Sequence, residues 1–302
     1  MAENSHITWT DNTHNEWIGC TKVSAGCDNC YAEREQDHRY GRAKWGKGNA
    51  RYLTSEANRR KPFAWERQAI KEGRRIKVFT ASLSDVFDEE VPDDWRDALM
   101  RTIGSTPHLD WLVLTKRLAK MRRYLGAFPS LIPKNAWWGC SVEDQATANQ
   151  RIPELLKLRA LVGDAPLWLS IEPLLGSVDL DSHTWLYEAV PHKGRGIEWV
   201  VVGGESGPAA RPMHPDWART LRDQCIAAGV AFHFKQWGEW LPTDQNPQLC
   251  AHASQVEMRI DKHGDFNGIT RERDNVEMNR VGKKTAGRLL DGREWNEFPR
   301  EA

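Results

Sequence analysis

Three cysteines within eleven residues, Cys20, Cys27 and Cys30, stand in the stretch 19–33 with the spacing C-x6-C-x2-C. Three thiolates on one loop do not close the four-ligand tetrahedron of a structural zinc site. They can hold three irons of a [4Fe–4S] cluster and leave the fourth iron open to a substrate or cofactor. That makes the loop a candidate for chemistry rather than for scaffolding. Two plainer assignments use the same residues: a zinc site completed by His14 or His38, or thiols that bind nothing. The remaining cysteines are scattered. Cys140 ends an apolar run, Cys225 lies in a helical pattern and Cys250 in a late loop, and each reads as a small buried hydrophobe.

A second set of candidates depends on the elements that carry it. After residue 75, short apolar runs alternate with helical stretches. The runs are Ile76–Thr80, Trp111–Thr115, Trp137–Ser141, Leu167–Ile171, Trp199–Val202 and Val230–Phe234. The helical stretches include Asp93–Ile103, Leu118–Leu125, Asp144–Leu158 and Pro215–Ala228. Pro92 and Pro215 mark helix starts, and Gly229 closes the last helix. Continuous apolar strands joined by helices imply a parallel sheet with helices on its faces. With a further short strand at Glu16–Ile18, the expected class is α/β, a partial or complete parallel (β/α) barrel; a doubly wound open sheet is the alternative. The barrel is expected over 1–240, with the cysteine loop and a basic insertion at 39–77. Residues 241–302 then form an irregular loop and an extension, with a helix over 280–295.

Each apolar run ends, at the same polarity of the chain, in charged or hydroxyl residues. Ser84 and Asp85 follow the first run, Lys116 the second, Glu143 the third and Glu172 the fourth. Gly203, Gly204 and Glu205 follow the fifth, and Lys235 the sixth. In a parallel barrel such ends converge on one mouth, where active sites form. An ionisable group directly after an apolar strand needs a partner or a ligand. Asp85, Lys116, Glu172 and Lys235 are therefore the candidate catalytic groups. Ser84, Glu143, Gly203, Gly204 and Glu205 are the candidate cofactor contacts, since glycines admit close backbone approach and a carboxylate accepts from an ammonium group. A tight turn explains the two glycines equally well.

The 302 residues are 40% hydrophobic with a formal net charge of zero, enough for a sizeable core and without global attraction to nucleic acid. The charge is uneven. From Arg39 to Lys77 there are thirteen Lys/Arg against three Glu, interleaved with Tyr40, Trp45, Tyr52, Phe63 and Trp65. Basic side chains track phosphates and aromatic rings stack on unpaired bases, so nucleic acid is the expected partner of this segment. A solvated helical face with core aromatics is the bland alternative. No paired disulfide framework, apolar signal core or run of membrane-span length is present, and the expected compartment is a reducing cytoplasm, with no membrane partner.

Taken together, the motifs resemble a known family. They are the block 17–33 around the cysteines, Ser82-Leu83-Ser84-Asp85, Leu114-Thr115-Lys116-Arg117, Ser141-Val142-Glu143-Asp144, Ile171-Glu172-Pro173, Val202-Gly203-Gly204-Glu205-Ser206-Gly207 and Phe234-Lys235-Gln236-Trp237-Gly238. The chain resembles the phage-associated three-Cys-motif proteins, an uncharacterised family similar to the radical S-adenosylmethionine (SAM) enzymes. The resemblance implies a [4Fe–4S] cluster held by Cys20, Cys27 and Cys30, with SAM chelating the open iron. Reductive cleavage of SAM would give a 5′-deoxyadenosyl radical that abstracts hydrogen. It also implies a separate protein partner named after the three-Cys motif. The chain departs from the usual radical-SAM pattern in three places: its first cysteine gap is six rather than three, Asn29 replaces an aromatic residue, and Gly-Gly-Glu comes late. The expected function is a radical-SAM-like enzyme acting on nucleic acid or a nucleotide. Two alternatives stand beside it: a zinc- or cluster-stabilised nucleic-acid-binding protein without catalysis, and a metal-free barrel hydrolase using Asp85, Glu172 and Glu205.

Overall fold

The computed structural model describes residues 3–181, 185–186, 196–251, 257–262 and 276–299. The chain opens with β1 (Asn12–His14), β2 (Trp17–Ile18), a helical turn α1 (Tyr31–Glu33) continued by a π-helix over Arg34–Arg39, and β3 (Tyr52–Leu53). Next come α2 (Glu56–Arg59), α3 (Lys61–Glu72), β4 (Ile76–Thr80), α4 (Asp93–Gly104), β5 (Leu109–Thr115), α5 (Leu118–Ala127) and β6 (Ala136–Ser141). They are followed by α6 (Gln145–Leu156), α7 (Arg159–Val162), β7 (Leu167–Ile171), β8 (Trp199–Gly203), α8 (Pro215–Ala228) and β9 (Ala231–Gln236). The last elements are β10 (Trp240–Pro242), α9 (Pro247–Ala251), β11 (Glu257–Ile260), β12 (Val276–Arg280) and α10 (Lys283–Ala286).

Seven strands form one sheet in the order β1-β4-β5-β6-β7-β8-β9. The pairs β1–β4, β4–β5, β5–β6 and β8–β9 run parallel. The order follows the chain without the reversal that defines a doubly wound sheet, so the class is a partial (β/α) barrel. The seventh strand is not the expected Glu16–Ile18. It is Asn12–His14, which pairs with β4, while Trp17–Ile18 pairs antiparallel with β3. Asn12-Thr13-His14 carries no apolar residue, yet all three are buried, so hydropathy gave no sign of this strand.

Residues 1–141 with 151–168 form one compact unit, and 142–150 with 169–302 form another. In the first, β5 buries Trp111, Leu112 and Val113 completely, and α4 and α5 lay Leu99, Met100, Ile103, Met121 and Leu125 on the core. Trp9 packs edge-on against Phe79, ring centroids 4.7 Å apart, and lies 5.4 Å from Trp168. A Cβ at Gly139 would stand 2.4 Å from the Trp168 indole, so β6 can pass that ring only with glycine there. Cys140 is fully buried.

In the second unit, β8 is buried along its whole length and α8 covers it with Trp217, Leu221 and Cys225. The His214 ring caps the start of α8, its Nδ1 accepting from Asp216 N at 3.2 Å, and Gly229 at φ 69° closes the end. After β9 the chain forms an antiparallel sheet in the order β10-β12-β11. The helix expected over 280–295 is only Lys283–Ala286, because Gly282, Gly287 and Gly292 take φ of 82°, 67° and 75°. The tail instead returns along β9: Phe234 N donates to Trp295 O at 3.0 Å. There His233 is fully buried, and burial, then Arg288 and Lys235, push its imidazole down to about 3, which keeps it neutral. Of the irregular stretch after Gln236, residues 252–256 and 263–275 lie outside the described residues. Among the described residues no helix is long and apolar enough to cross a membrane.

Candidate metal centre and strand-end sites

The cysteine loop is sewn to the loop that follows β4. Gly19 N donates to Leu83 O at 3.1 Å, and Gly19 and Ser84 form a parallel bridge. The Asn15 side chain accepts from Leu83 N at 2.7 Å and donates to Ser82 Oγ at 2.9 Å. Tyr31 Oη donates to Ser82 O at 2.5 Å. A 3-10 turn at Ala25–Cys27 then brings the chain round, and Cys30 precedes the first turn of α1.

Cys20, Cys27 and Cys30 are half-buried free thiols. Cys20 and Cys30 pack against one apolar cluster of Ala32, Ala43 and Trp45, together with Ile18 and Leu83. Burial, then the charge of Asp85, pushes the Cys20 thiol far above its ordinary range, and Arg117 works the other way. Burial raises Cys30 as well, and Cys27 adds to the rise at both. Cys20 and Cys30, raised by burial, ionise only against a compensating positive charge. The three-thiol donor set fits an iron–sulfur cluster. Among the described residues no three His, Cys, Asp or Glu gather to hold a single ion. Sulfurs on one zinc ion would stand about 3.8 Å apart, from tetrahedral bonds of about 2.3 Å. Of the two suggested zinc ligands, His14 and His38, His14 spends Nε2 on Glu16 at 3.1 Å, while its Nδ1 is buried with no hydrogen-bond partner among the described residues.

A chain of charges underlies the loop. Arg117 donates through Nη1 to Asp85 Oδ2 at 2.8 Å, with Cys20 Sγ at 3.8 Å, and through Nη2 to Thr21 O at 2.6 Å and Asp88 Oδ2 at 2.9 Å. Asp88 also accepts from Thr21 N at 2.9 Å and from Arg51 Nη2 at 2.8 Å. Arg51 in turn donates to Thr21 Oγ1 at 2.6 Å and to Asn49 O at 2.7 Å. The Arg51 and Asp88 side chains have no exposed surface. Burial opposes the charge of Arg117, but Asp85, Cys20 and Asp88 outweigh it and keep the guanidinium charged. Asp85 is anchored further by Thr115 Oγ1 at 2.7 Å, and Lys116 contributes its backbone N–H at 3.1 Å. Arg51, Asp88 and Arg117 are absent from the candidates read in the sequence. Arg117 directly follows Lys116 at the end of β5; Arg51 and Asp88 sit in loops with no distinguishing pattern. Ser84 is the reverse case: its Oγ is buried and has no hydrogen-bond partner among the described residues.

The other strand-end candidates lie in the second unit. Lys235 Nζ donates to both oxygens of Glu172 at 2.7 Å, and Gln236 Nε2 joins at 3.1 Å. A Cβ at Gly203 would press within 3.3 Å of the Glu172 carboxylate. Burial, then Lys235, lowers the neighbouring Lys283 ammonium below its ordinary range. Glu205 accepts from Arg211 Nε at 2.9 Å, Nη2 at 2.6 Å and backbone N at 2.8 Å, a bidentate clamp on one carboxylate. A Cβ at Gly204 would stand 1.9 Å from Trp237 O, and one at Gly238 (φ 84°) 2.0 Å from Glu205 O. The close approach at Gly204 is therefore of backbone on backbone. Glu143 is fully buried at the end of β6, its carbonyl accepting from Leu175 N at 2.8 Å.

The basic segment is less charged at its surface than its composition implies. Of its thirteen Lys/Arg, eight (Arg39, Lys44, Arg51, Arg59, Arg60, Lys61, Arg74 and Arg75) form ion pairs with carboxylates. Most of those carboxylates lie outside the segment. Arg42, Lys47, Arg67 and Lys71 are exposed, with no acidic partner among the described residues. Tyr40, about half exposed, lies under the guanidinium groups of Arg39 and Arg42 at 5.1 and 4.6 Å. A cavity of about 490 Å³ in the same unit, lined among others by Glu3, Asp11, Asn12, Trp65, Arg74 and Ile76, opens at the first residues of β1 and β4. That is the opposite end of those strands from the cysteine loop, where barrel folds carry stability rather than chemistry.

A partial (β/α) barrel with a three-thiol loop latched beyond its first strands is thus the class. The chain belongs to the family described as "Protein of unknown function (DUF5131)", which matches residues 4–299. No curated protein matches it. Among solved structures it is similar to variants of spore photoproduct lyase. One is 14% identical with a TM-score of 0.41, covering 71% of this chain and 61% of that one. Another is 11% identical with a TM-score of 0.44, covering 72% and 74%. A third, with bound AdoMet and dinucleoside spore photoproduct, is 12% identical with a TM-score of 0.42, covering 90% and 69%. The chain thus spans 61% of the length of the first, and identities of 11–14% transfer no residue role.

Proposed function

We propose that this protein is an iron–sulfur enzyme of the radical-SAM type that acts on nucleic acid or a nucleotide. The observation that carries the reading is the set of three half-buried free thiols with one guanidinium beside Cys20. Cys20, Cys27 and Cys30 would hold three irons, leaving the fourth for SAM. When bound, that pair of groups supplies one-electron reductive cleavage of SAM. The chain's own residues have separable tasks. Arg117 holds Cys20 and Thr21 in place. Asp85 fixes Arg117 and, with Lys116, shapes the end of β5. Ser84 offers its free hydroxyl to a ligand beside the loop. In the second unit, Glu172 and Lys235 form an ion pair that holds the two side chains together. In the same unit Glu205 is held by Arg211, and the close backbone approach at Gly204 is taken by the Trp237 carbonyl.

The hydrolase alternative needs a carboxylate free to take a proton. Asp85, Glu172 and Glu205 are each held by a cation, Arg117, Lys235 and Arg211 respectively, which favours the first reading. Anaerobic purification followed by iron, sulfide and zinc analysis, with SAM binding by calorimetry, tests the choice. The expected result is brown protein with about four irons per chain and SAM binding that requires the iron. One zinc and no iron returns the non-catalytic reading, and metal-free protein returns the hydrolase.

For the substrate class, the exposed surface of Tyr40, Arg42 and Lys47 is the supporting feature. Single-stranded nucleic acid should bind there with a log–log salt slope of about 0.7 per contacted phosphate. Reversing Arg42 and Lys47 to Glu should cut that slope by roughly 1.4 and leave iron content unchanged. Reversing Arg60, already paired with Glu56, should change it less. Measurement is by fluorescence anisotropy across a salt series, and absence of binding at low salt removes nucleic acid from the reading.

A further inference from the structure

Arg117 touches a candidate metal ligand, that ligand's neighbour in the chain and two buried carboxylates at once. It stands 97 positions from Cys20 in the chain. Its planar fork divides the work. Nη1 faces Asp85 and the Cys20 sulfur; Nη2 faces Thr21 O and Asp88. Lysine would carry the same charge without the second arm.

Hydrogen bonds and positive charge at a cluster sulfur stabilise the more negative, reduced cluster and raise its reduction potential. The effect is local. A fully buried Asp88, bound by Arg51 as well, fixes Arg117 from behind, so the guanidinium cannot turn away to solvent. Asp85 offsets part of its charge but lies on the same arm as the sulfur, at 2.8 Å against 3.8 Å. At Nη1 the guanidinium therefore has one short charged partner and one long, polarisable one. Loading the loop with thiolate sulfur bound to iron strengthens the second.

We infer that Arg117 is a positioning residue that hydrogen-bonds the Cys20 sulfur and sets the reduction potential of the cluster held by this loop. The inference rests on the cluster reading above. It concerns how readily the cluster accepts its electron, which the presence of three cysteines does not determine.

The test compares wild type, Arg117→Lys and Arg117→Gln after anaerobic reconstitution. Iron per chain, circular dichroism and an EPR-monitored redox titration are measured on each. Wild type without iron overturns the cluster reading itself. With wild type loaded, Arg117→Lys should keep its iron and fold but reduce less readily. Arg117→Gln should be harder to reduce by about tenfold in the reduction equilibrium, or about 59 mV for one electron. Should Arg117→Gln fail to load, Arg117→Lys decides. A potential equal to wild type in the loaded variants overturns the inference. So does loss of iron from Arg117→Lys as well as from Arg117→Gln, since Arg117 would then be only a strut for the loop.

Discussion

Asp88→Ala is expected to cost about 3–5 kcal/mol of folding stability, the penalty for removing one partner of a buried ion pair. Asp88 is fully buried and accepts from Arg51, Arg117 and the backbone N–H groups of Thr21 and Glu90. Without it, the Arg51 guanidinium stays in a site with no exposed surface and no remaining carboxylate partner in its ion pair. The carbonyls of Gly46 and Asn49 and the Thr21 hydroxyl still accept from it, but none carries charge. Arg117 fares better, because Asp85 still pairs with it. The loss should therefore concentrate on the segment from Gly46 to Arg51 and on Thr21. Urea unfolding gives the total, and amide hydrogen exchange shows where protection falls. Asp94→Ala, on the exposed start of α4, is the control and should cost under about 1 kcal/mol. A loss at Asp88 no larger than the control would mean that the buried charges are not coupled as drawn.

The same network shows where sequence reading stops. Six strands were legible because each is a run of apolar residues with polar ends, and their in-phase helices followed from Pro and Gly punctuation. β1 was not legible, since Asn12-Thr13-His14 becomes a strand only by pairing with Val78–Thr80. The cysteines announce themselves by spacing over eleven residues. Their supports do not, because Arg51 meets Asp88 across 37 positions and Arg117 meets Cys20 across 97. Charge counting failed for a related reason. Arg51 and Arg75 belong to the basic stretch in sequence but to Asp88 and Asp110 in space. Local composition measures charge along the chain, while a partner responds to the charge left exposed after folding. At Gly204 the residue type was right but its reason differed: the close neighbour is the Trp237 carbonyl.

Alanine at Cys20, Cys27 or Cys30 should each reduce iron from about four atoms per chain to near zero, since a cluster with two protein thiolates is poorly held. The apo protein should barely register the change. Each of these thiols is only half-buried, so trimming one to a methyl group removes little packing. At Cys20 the change also takes away a thiol that burial and Asp85 hold against ionisation, leaving Arg117 with Asp85 and Asp88. Cys225→Ala is the mirror image. That side chain is fully buried in the α8 face beside Leu221, so its loss should cost on the order of 1 kcal/mol while iron stays at the wild-type level. Iron assay after anaerobic reconstitution and urea unfolding of the apo forms measure the two effects separately. Full iron in any one of the three loop variants would show that the loop does not hold the cluster through all three sulfurs. Equal iron loss from Cys225→Ala would show that the assay reports folding rather than ligation. The expected pattern, iron lost without stability at the loop and stability lost without iron in the helix, is one that neither a zinc-free thiol cluster nor a general packing role for these cysteines produces.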